Sequence, residues 1–246
     1  MNAAHAQASP SRYDRLDALR GVAIVWMAAF HFFFDLNYFG MLAPKQNFYS
    51  DPFWTQQRTA IVSLFLFSAG IAQAIVCQRG QAWPRFWRRW AQIAACAMLV
   101  SIGSALMFPK SWISFGILHG IAVMLICARL AAPLRGWLWP LGLLLVLLPH
   151  WVQDPFFDTR WTNWVGLVTR KPVTEDYAPV MPWLGVMLWG LAAGQWVLAR
   201  RTHFVSGAVP GMAQPLAWLG RWSLSFYMLH QPVLIGGLWL WREASR

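Results

Sequence analysis

The sequence predicts an all-α, polytopic integral membrane bundle of about seven transmembrane helices, and three observations carry that expectation. Of 246 residues, 58% are hydrophobic and 12% charged, against roughly a quarter charged in an ordinary soluble domain. The apolar residues fall into uncharged runs of roughly 15 to 20 positions, the length that crosses a ~30 Å hydrocarbon core. Many of the 18 Trp residues stand at the edges of those runs, among them Trp54, Trp83, Trp90, Trp112, Trp137, Trp151, Trp222 and Trp241. Amphipathic rings favour the headgroup zone, so these read as interface anchors.

In chain order, residues 1–16 are expected to form a short cytoplasmic tail and residues 17–246 a single transmembrane domain. The first eleven residues, MNAAHAQASPS, are small and polar. The run after them is too long for a secretory signal and lacks a small-residue cleavage site, so the first helix is expected to remain as an anchor. The spans read as Leu19–Phe39, Thr59–Val76, Trp90–Phe108, Trp112–Ala128, Trp137–Val152, Val180–Ala199 and Trp222–Trp241. The fifth is the weakest, because Pro140 and Pro149 bracket a short Leu-rich stretch that can be re-entrant or tilted. In the second, SAGIA (Ser68 to Ala72) sets small residues four apart, which permits close helix approach.

The formal charge of +11 does not point to nucleic acid, because the basic residues form short clusters between apolar runs instead of one stripe. Membrane orientation explains them better. With a cytoplasmic N-terminus the inner segments hold Arg12, Arg15, Arg20, Arg79, Arg85, Arg88, Arg89, Arg129, Arg135, Arg200, Arg201 and Arg221. The outer ones hold Lys45, Arg58, Lys110, Arg160, Arg170, Lys171, Arg242 and Arg246, diluted by Asp51, Asp154, Asp158, Glu175 and Asp176. The positive-inside rule therefore favours N-in and C-out. The longest connection, Gln153 to Pro179, is external on this reading, and long loops are often functional.

Chemistry concentrates in the first span, where Arg20, His31 and Asp35 interrupt DRLDALRGVAIVWMAAFHFFFDLNYFG. Each is expensive in hydrocarbon unless it faces the bundle or a wet cavity. Eleven residues separate Arg20 from His31, about three turns plus ~20° and a rise of roughly 16 Å, so the two share a face. Arg20 then lies at the cytoplasmic boundary and His31 near the midplane. Asp35, four residues beyond His31, is placed to accept a hydrogen bond from one imidazole nitrogen and leave the other as a base. The competing account is a pair of polar residues that only cross-link helices.

An Arg, ten intervening residues and a His on the first helix is the pattern of the type-three membrane acyltransferases. The wider run, DRLDALRG followed by FHFFFDLNYFG, resembles bacterial proteins similar to the catalytic domain of heparan-alpha-glucosaminide N-acetyltransferase. SLFLFSAGIAQA, FGILHGIAV and LGRWSLSFYMLHQPVL extend the likeness over nearly the whole chain. The resemblance implies transfer of acetyl from cytoplasmic acetyl-CoA to an acceptor sugar on the far side of the bilayer, with His31 at the active-site histidine. An envelope glycan is the expected acceptor, in a bacterial cytoplasmic (inner) membrane.

Near the other end, His230 lies about eight residues past the inner boundary of a helix running parallel to the first, so its depth matches that of His31. The two imidazoles are expected to meet at one midplane cavity. Pro232 removes a helix N–H and frees a carbonyl near Met228, which either opens a polar pocket or is satisfied by His230 itself. His119, beside Gly120, reads more readily as a satisfied packing residue than as a catalyst. Arg85, Arg88 and Arg89 suit the phosphates of CoA, bidentate guanidinium matching that geometry; the plainer account is topology and anionic lipid. Cys77, Cys96 and Cys127 show no paired ligand spacing, so neither a disulfide framework nor a metal site is expected. Nucleotide-loop, nucleophile-elbow and zincin motifs do not occur.

The combined expectation is a membrane-bound acetyltransferase acting on an amino or hydroxyl group of a glycan. His31, Asp35 and His230 are its catalytic residues, and Arg20, Arg85, Arg88 and Arg89 bind acetyl-CoA. The sequence is compatible with a homodimer. The rival is a small proton-coupled transporter or channel that uses the same intramembrane His and Asp as a relay.

Overall fold

The computed structural model describes residues 13–205 and 207–245. Most of the expected N-terminal tail, with Arg12, lies outside the described residues, as does Arg246. The chain is helical throughout, with no strand among the described residues: α1 (Asp14–Tyr38), α2 (Pro52–Gln78), α3 (Trp83–Met107), α4 (Ile117–Ala131), α5 (Leu138–Trp151), α6 (Val180–Arg200), α7 (Gln214–Arg221) and α8 (Ser223–Ala244). The starts follow local chemistry. Asp51 caps α2 by accepting from the Phe53 N–H at 2.8 Å, with Pro52 in the first turn. The α4 start is capped from far away, the Ile117 N–H donating to Asp176 Oδ2 at 2.8 Å.

Among the described residues, five stretches are long and apolar enough to cross a membrane: α1, α2, α3, the 35-residue stretch Ile117–Trp151, and α6. That long stretch is not one straight helix. Arg135 takes φ 47° and ψ −112°, and the chain reverses there. Ala132 O accepts from Gln195 Nε2, and Gly120 packs on Ala178, so α4 runs parallel to α6. Trp189 Nε1 donates to Trp139 O, and Gly185 packs on Val146, so α5 runs antiparallel to it. The expected fifth span is thus the second arm of a hairpin, 14 residues long. In α8, Ser223, Ser225, His230 and Gln231 hold down the hydropathy, and it is not among the five.

Three boundaries depart from expectation. The third helix begins at Trp83, so Arg85, Arg88 and Arg89 stand on its first two turns instead of in a connection. The fourth starts at Ile117, five residues later than expected, because Trp112 to Gly116 are tied down by the long connection between α5 and α6. Glu175 N donates to Ser111 O at 2.9 Å, and Thr174 Oγ1 to Trp112 O at 3.0 Å. The last span is preceded by a separate short amphipathic helix, α7, which sequence reading merged with its surroundings.

The core is built on α6, which packs on α2, α4 and α5. Leu66, Met187, Leu188 and Leu191 are fully buried there. The α2–α6 crossing depends on the small residues expected in the second span: a Cβ on Gly70 would stand 2.6 Å from Leu191 N, and one on Gly190 2.8 Å from the Phe67 carbonyl carbon. A second, aromatic core of Phe30, Phe48 and Trp54 joins α1 to α2. Tyr227 of α8 touches all three apolar clusters and so seats α8 in the bundle.

The geometry of the candidate site

The site forms where α1 and α8 lie side by side. At the end of the bundle where α1 begins, Gly21 on α1 and Gly220 on α7 let the two backbones meet. A Cβ on Gly220 would stand 2.7 Å from the Asp17 carbonyl carbon and 3.0 Å from Gly21 N. Arg221 closes the same joint by pairing with Asp14 at 3.0 Å and reaching Asp17 at 4.0 Å. These contacts fix the register of α8 against α1, and about two turns later that register brings the expected histidines together.

The His31 and His230 rings are 5.1 Å apart, centroid to centroid, edge to face. His230 is 7% exposed, and its Nδ1 lies 2.7 Å from the Tyr227 carbonyl oxygen. A carbonyl only accepts, so Nδ1 carries the proton and Nε2 keeps a free lone pair. That Nε2 is buried without a partner. His230 does satisfy a carbonyl near Pro232, but that of Tyr227 instead of Met228, and it does so with one nitrogen only.

Asp35 is buried, 3% exposed, as a carboxylate among apolar residues requires. Its expected bond to His31 is not formed. His31 Nδ1 faces Gln231 Nε2 at 3.1 Å, and the Asp35 carboxyl lies within interaction range of the same Gln231 side chain. The i to i+4 spacing puts Asp35 one turn above His31 on α1, and the amide from α8 comes between them. Gln231 is the residue that sequence reading missed. Its signal was present, since an amide beside a proline in a membrane span is itself costly, but it was overshadowed by the ionisable neighbour His230.

At the same end as the α1–α7 joint, Arg20 pairs with Asp17 at 3.2 Å and lies close enough to Arg89 to feel its charge. All three arginines on α3 are exposed, and Arg89 is the one whose charge reaches Arg20. Arg89 also donates to Gln92 Oε1 at 3.2 Å. His119 stands apart from this site: its Nδ1 accepts from Gly116 N at 3.3 Å and its Nε2 meets Ser101 Oγ at 3.1 Å. With both nitrogens occupied it ties α4 to α3, as a packing histidine does.

The long connection between α5 and α6 packs over the α3–α4 turn instead of standing free. Tyr177 Oη donates to Asn163 O at 2.7 Å, and Ser111 Oγ to Glu175 Oε1 at 2.5 Å. Burial pushes the Asp176 carboxyl above its usual range, partly offset by the Ile117 N–H and by Arg58 and Lys171. The Asp158 carboxyl moves the other way, lowered chiefly by the Thr169 hydroxyl.

Comparison with curated proteins gives no match, and comparison with solved structures gives none. One family model does match, that of heparan-alpha-glucosaminide N-acetyltransferase, catalytic, over residues 12–232. The matched stretch runs from the start of α1 past His230 and Gln231, and so takes in both faces of the paired-imidazole site. A match over most of the chain, on an all-helical bundle with apolar spans, means that this protein belongs to the heparan-alpha-glucosaminide N-acetyltransferase catalytic family of transmembrane acetyltransferases.

Proposed function

We propose that the chain moves an acetyl group from cytoplasmic acetyl-CoA to an amino or hydroxyl group of an envelope sugar, using the imidazole pair of His31 and His230. The single observation that carries this reading is that pair: two imidazoles 5.1 Å apart, one with its tautomer set by a backbone carbonyl and its Nε2 unsatisfied. Buried polar atoms are normally satisfied, and an unpaired imidazole nitrogen is what a general base needs.

The chemistry follows from the residues. An imidazole Nε2 takes the proton of the acceptor's N–H or O–H as that atom attacks the thioester carbonyl. The C–S bond breaks, and the CoA thiolate leaves and collects a proton. Alternatively, the imidazole itself attacks, carries the acetyl group, and yields it to the acceptor in a second displacement. The proximity of Arg20 and Arg89 supports a donor entering from the cytoplasmic ends of α1 and α3, where guanidinium groups suit phosphate. The Lys and Arg distribution supports a cytoplasmic N-terminus. The transporter reading draws nothing from the family and is not carried further.

The test is release of free CoA thiol by purified protein given acetyl-CoA and a glucosamine-type acceptor. His31→Ala is expected to abolish turnover while the protein stays monodisperse in detergent. A folded His31→Ala protein with wild-type turnover, or a wild type with no CoA-dependent chemistry on any sugar, overturns the proposal. Orientation is read separately: a reporter inserted at Gly80–Gln81 should be cytoplasmic and one fused after Arg246 should not.

A further inference from the structure

Among the described residues, four buried side-chain atoms have no hydrogen-bond partner: His230 Nε2, Asp35 Oδ2 and Gln231 Oε1 at the site, and Asn163 Oδ1 in the long connection between α5 and α6. The two oxygens at the site are both acceptors, and they belong to side chains that lie together. A buried acceptor without a donor has given up water and gained nothing in exchange, and the site holds two of them. Oxygen and nitrogen of an amide occupy nearly the same positions, and their assignment follows from the hydrogen bonds they make. Turning the Gln231 amide over removes the conflict. Its oxygen then accepts from His31 Nδ1–H across the 3.1 Å contact, and its NH2 is presented to the Asp35 carboxylate.

We propose that Gln231 is the positioning residue that links Asp35 to His31, a carboxylate–amide–imidazole chain in which His31 Nδ1 is protonated and Nε2 is the free base. This rests on the acetyltransferase reading and deepens it. Asp35 does not touch the imidazole, yet through the polarised amide it holds the tautomer and favours the ring as it takes up a proton. Direct contact along α1 cannot do this, because the ring has turned to α8. With both histidines in the same tautomer, both Nε2 atoms are lone-pair bearers, so either can take the acceptor's proton as the acceptor attacks, and the imidazolium so formed returns that proton to the leaving thiolate. Gln231 itself loses and gains no proton.

The chain has a distinctive consequence: its polarity can be exchanged. In the double variant Asp35→Asn/Gln231→Glu, the carboxylate moves to position 231, where it accepts from His31 Nδ1–H. The amide moves to position 35 and donates to that carboxylate, so every bond is kept. Asp35→Asn alone removes the charge, Gln231→Leu breaks the link, and Gln231→Glu alone sets two carboxylates against each other. Each single variant is expected to lower kcat with the KM for acetyl-CoA unchanged, and the exchanged pair to recover ~10-fold over Asp35→Asn, a coupling of the size that contacting residues show. An exchanged pair no better than its worse parent overturns the chain.

A second readout needs no turnover. In protein labelled with 15N-histidine at about pH 8, above the ordinary imidazole range, the His31 signals are identified by their loss in His31→Gln. They are expected to show a protonated Nδ1 and a bare Nε2, and to mix tautomers in Gln231→Leu. A protonated Nε2 in the wild type overturns the proposal. If the protein proves to have no acetyltransferase activity, the kinetic arm is silent and the 15N arm still decides.

Discussion

Gly220→Ala carries the sharpest expectation, because it acts on the site from its far end. The new methyl would stand 2.7 Å from the Asp17 carbonyl carbon and 3.0 Å from Gly21 N, where ordinary contact begins at 3.4 Å. The obstacle is backbone on both sides, so no side chain can swing away, and α7 must retreat from α1 by at least about 0.7 Å. α8 follows directly from α7 through Trp222. The His31–Gln231 contact is 3.1 Å, and a hydrogen bond is lost near 3.6 Å, so the slack of about 0.5 Å is smaller than the required shift. Overpacking of this kind costs about 1–3 kcal/mol, and a displacement approaching 1 Å at a catalytic group lowers turnover on the order of 10- to 100-fold. The assay is CoA-thiol release beside thermal unfolding in detergent. Gly236→Ala on α8 is the control, since nothing lies within 4 Å of its added methyl. A Gly220→Ala protein with wild-type turnover and melting temperature would refute the claim that this joint sets the register of the imidazole pair.

Two further outcomes follow from residues away from the histidines. Replacing Arg85, Arg88 and Arg89 together with Gln is expected to raise the KM for acetyl-CoA with kcat near normal, the mark of lost uniform binding. Since Arg89 is the one whose charge reaches Arg20, Arg89→Gln should reproduce most of the effect; unchanged kinetics in the triple variant would return the cluster to a topological role. Asp176 makes stability depend on pH. Its folded carboxyl binds a proton more tightly than the unfolded one, so stability falls as pH rises from the ordinary value of 3.8 through the raised one and levels off above it. Asp176→Asn keeps an acceptor for the Ile117 N–H and should remove that slope; a melting temperature with the same pH dependence in both proteins would count against it.

The helices were legible because a bilayer leaves few alternatives: apolar runs of spanning length must be helical to satisfy their own backbone. The depth of His230 was legible for the same reason, since rise per residue converts sequence position into height, and the imidazoles meet as that height requires. What was not legible was azimuth. The spacing of Asp35 from His31 fixes their faces on α1 but says nothing of what α8 inserts between them, and so the direct bond was expected where Gln231 stands. The start of α3 was hidden for a related reason, since the helix begins at Trp83, before its apolar run, and carries Arg85, Arg88 and Arg89 on exposed turns. The α4–α5 reversal hides in a run of uniform hydropathy, where only the backbone at Arg135 marks the turn.

The pairing of α1 with α8 also dictates how the molecule must be made. His31 and Gln231 are 200 residues apart in the chain, and a ribosome adding ~5–20 residues per second needs roughly 10–40 s to cover that interval. During it, α1 has already emerged with Arg20, His31 and Asp35, while His230 and Gln231, which meet His31, are still untranslated. A charged group at the centre of a span costs about 2.5–3.5 kcal/mol during insertion even on the mildest scale. Of the two helices that build the site, α1 is made long before its partner, and the imidazole pair is complete only when α8 arrives.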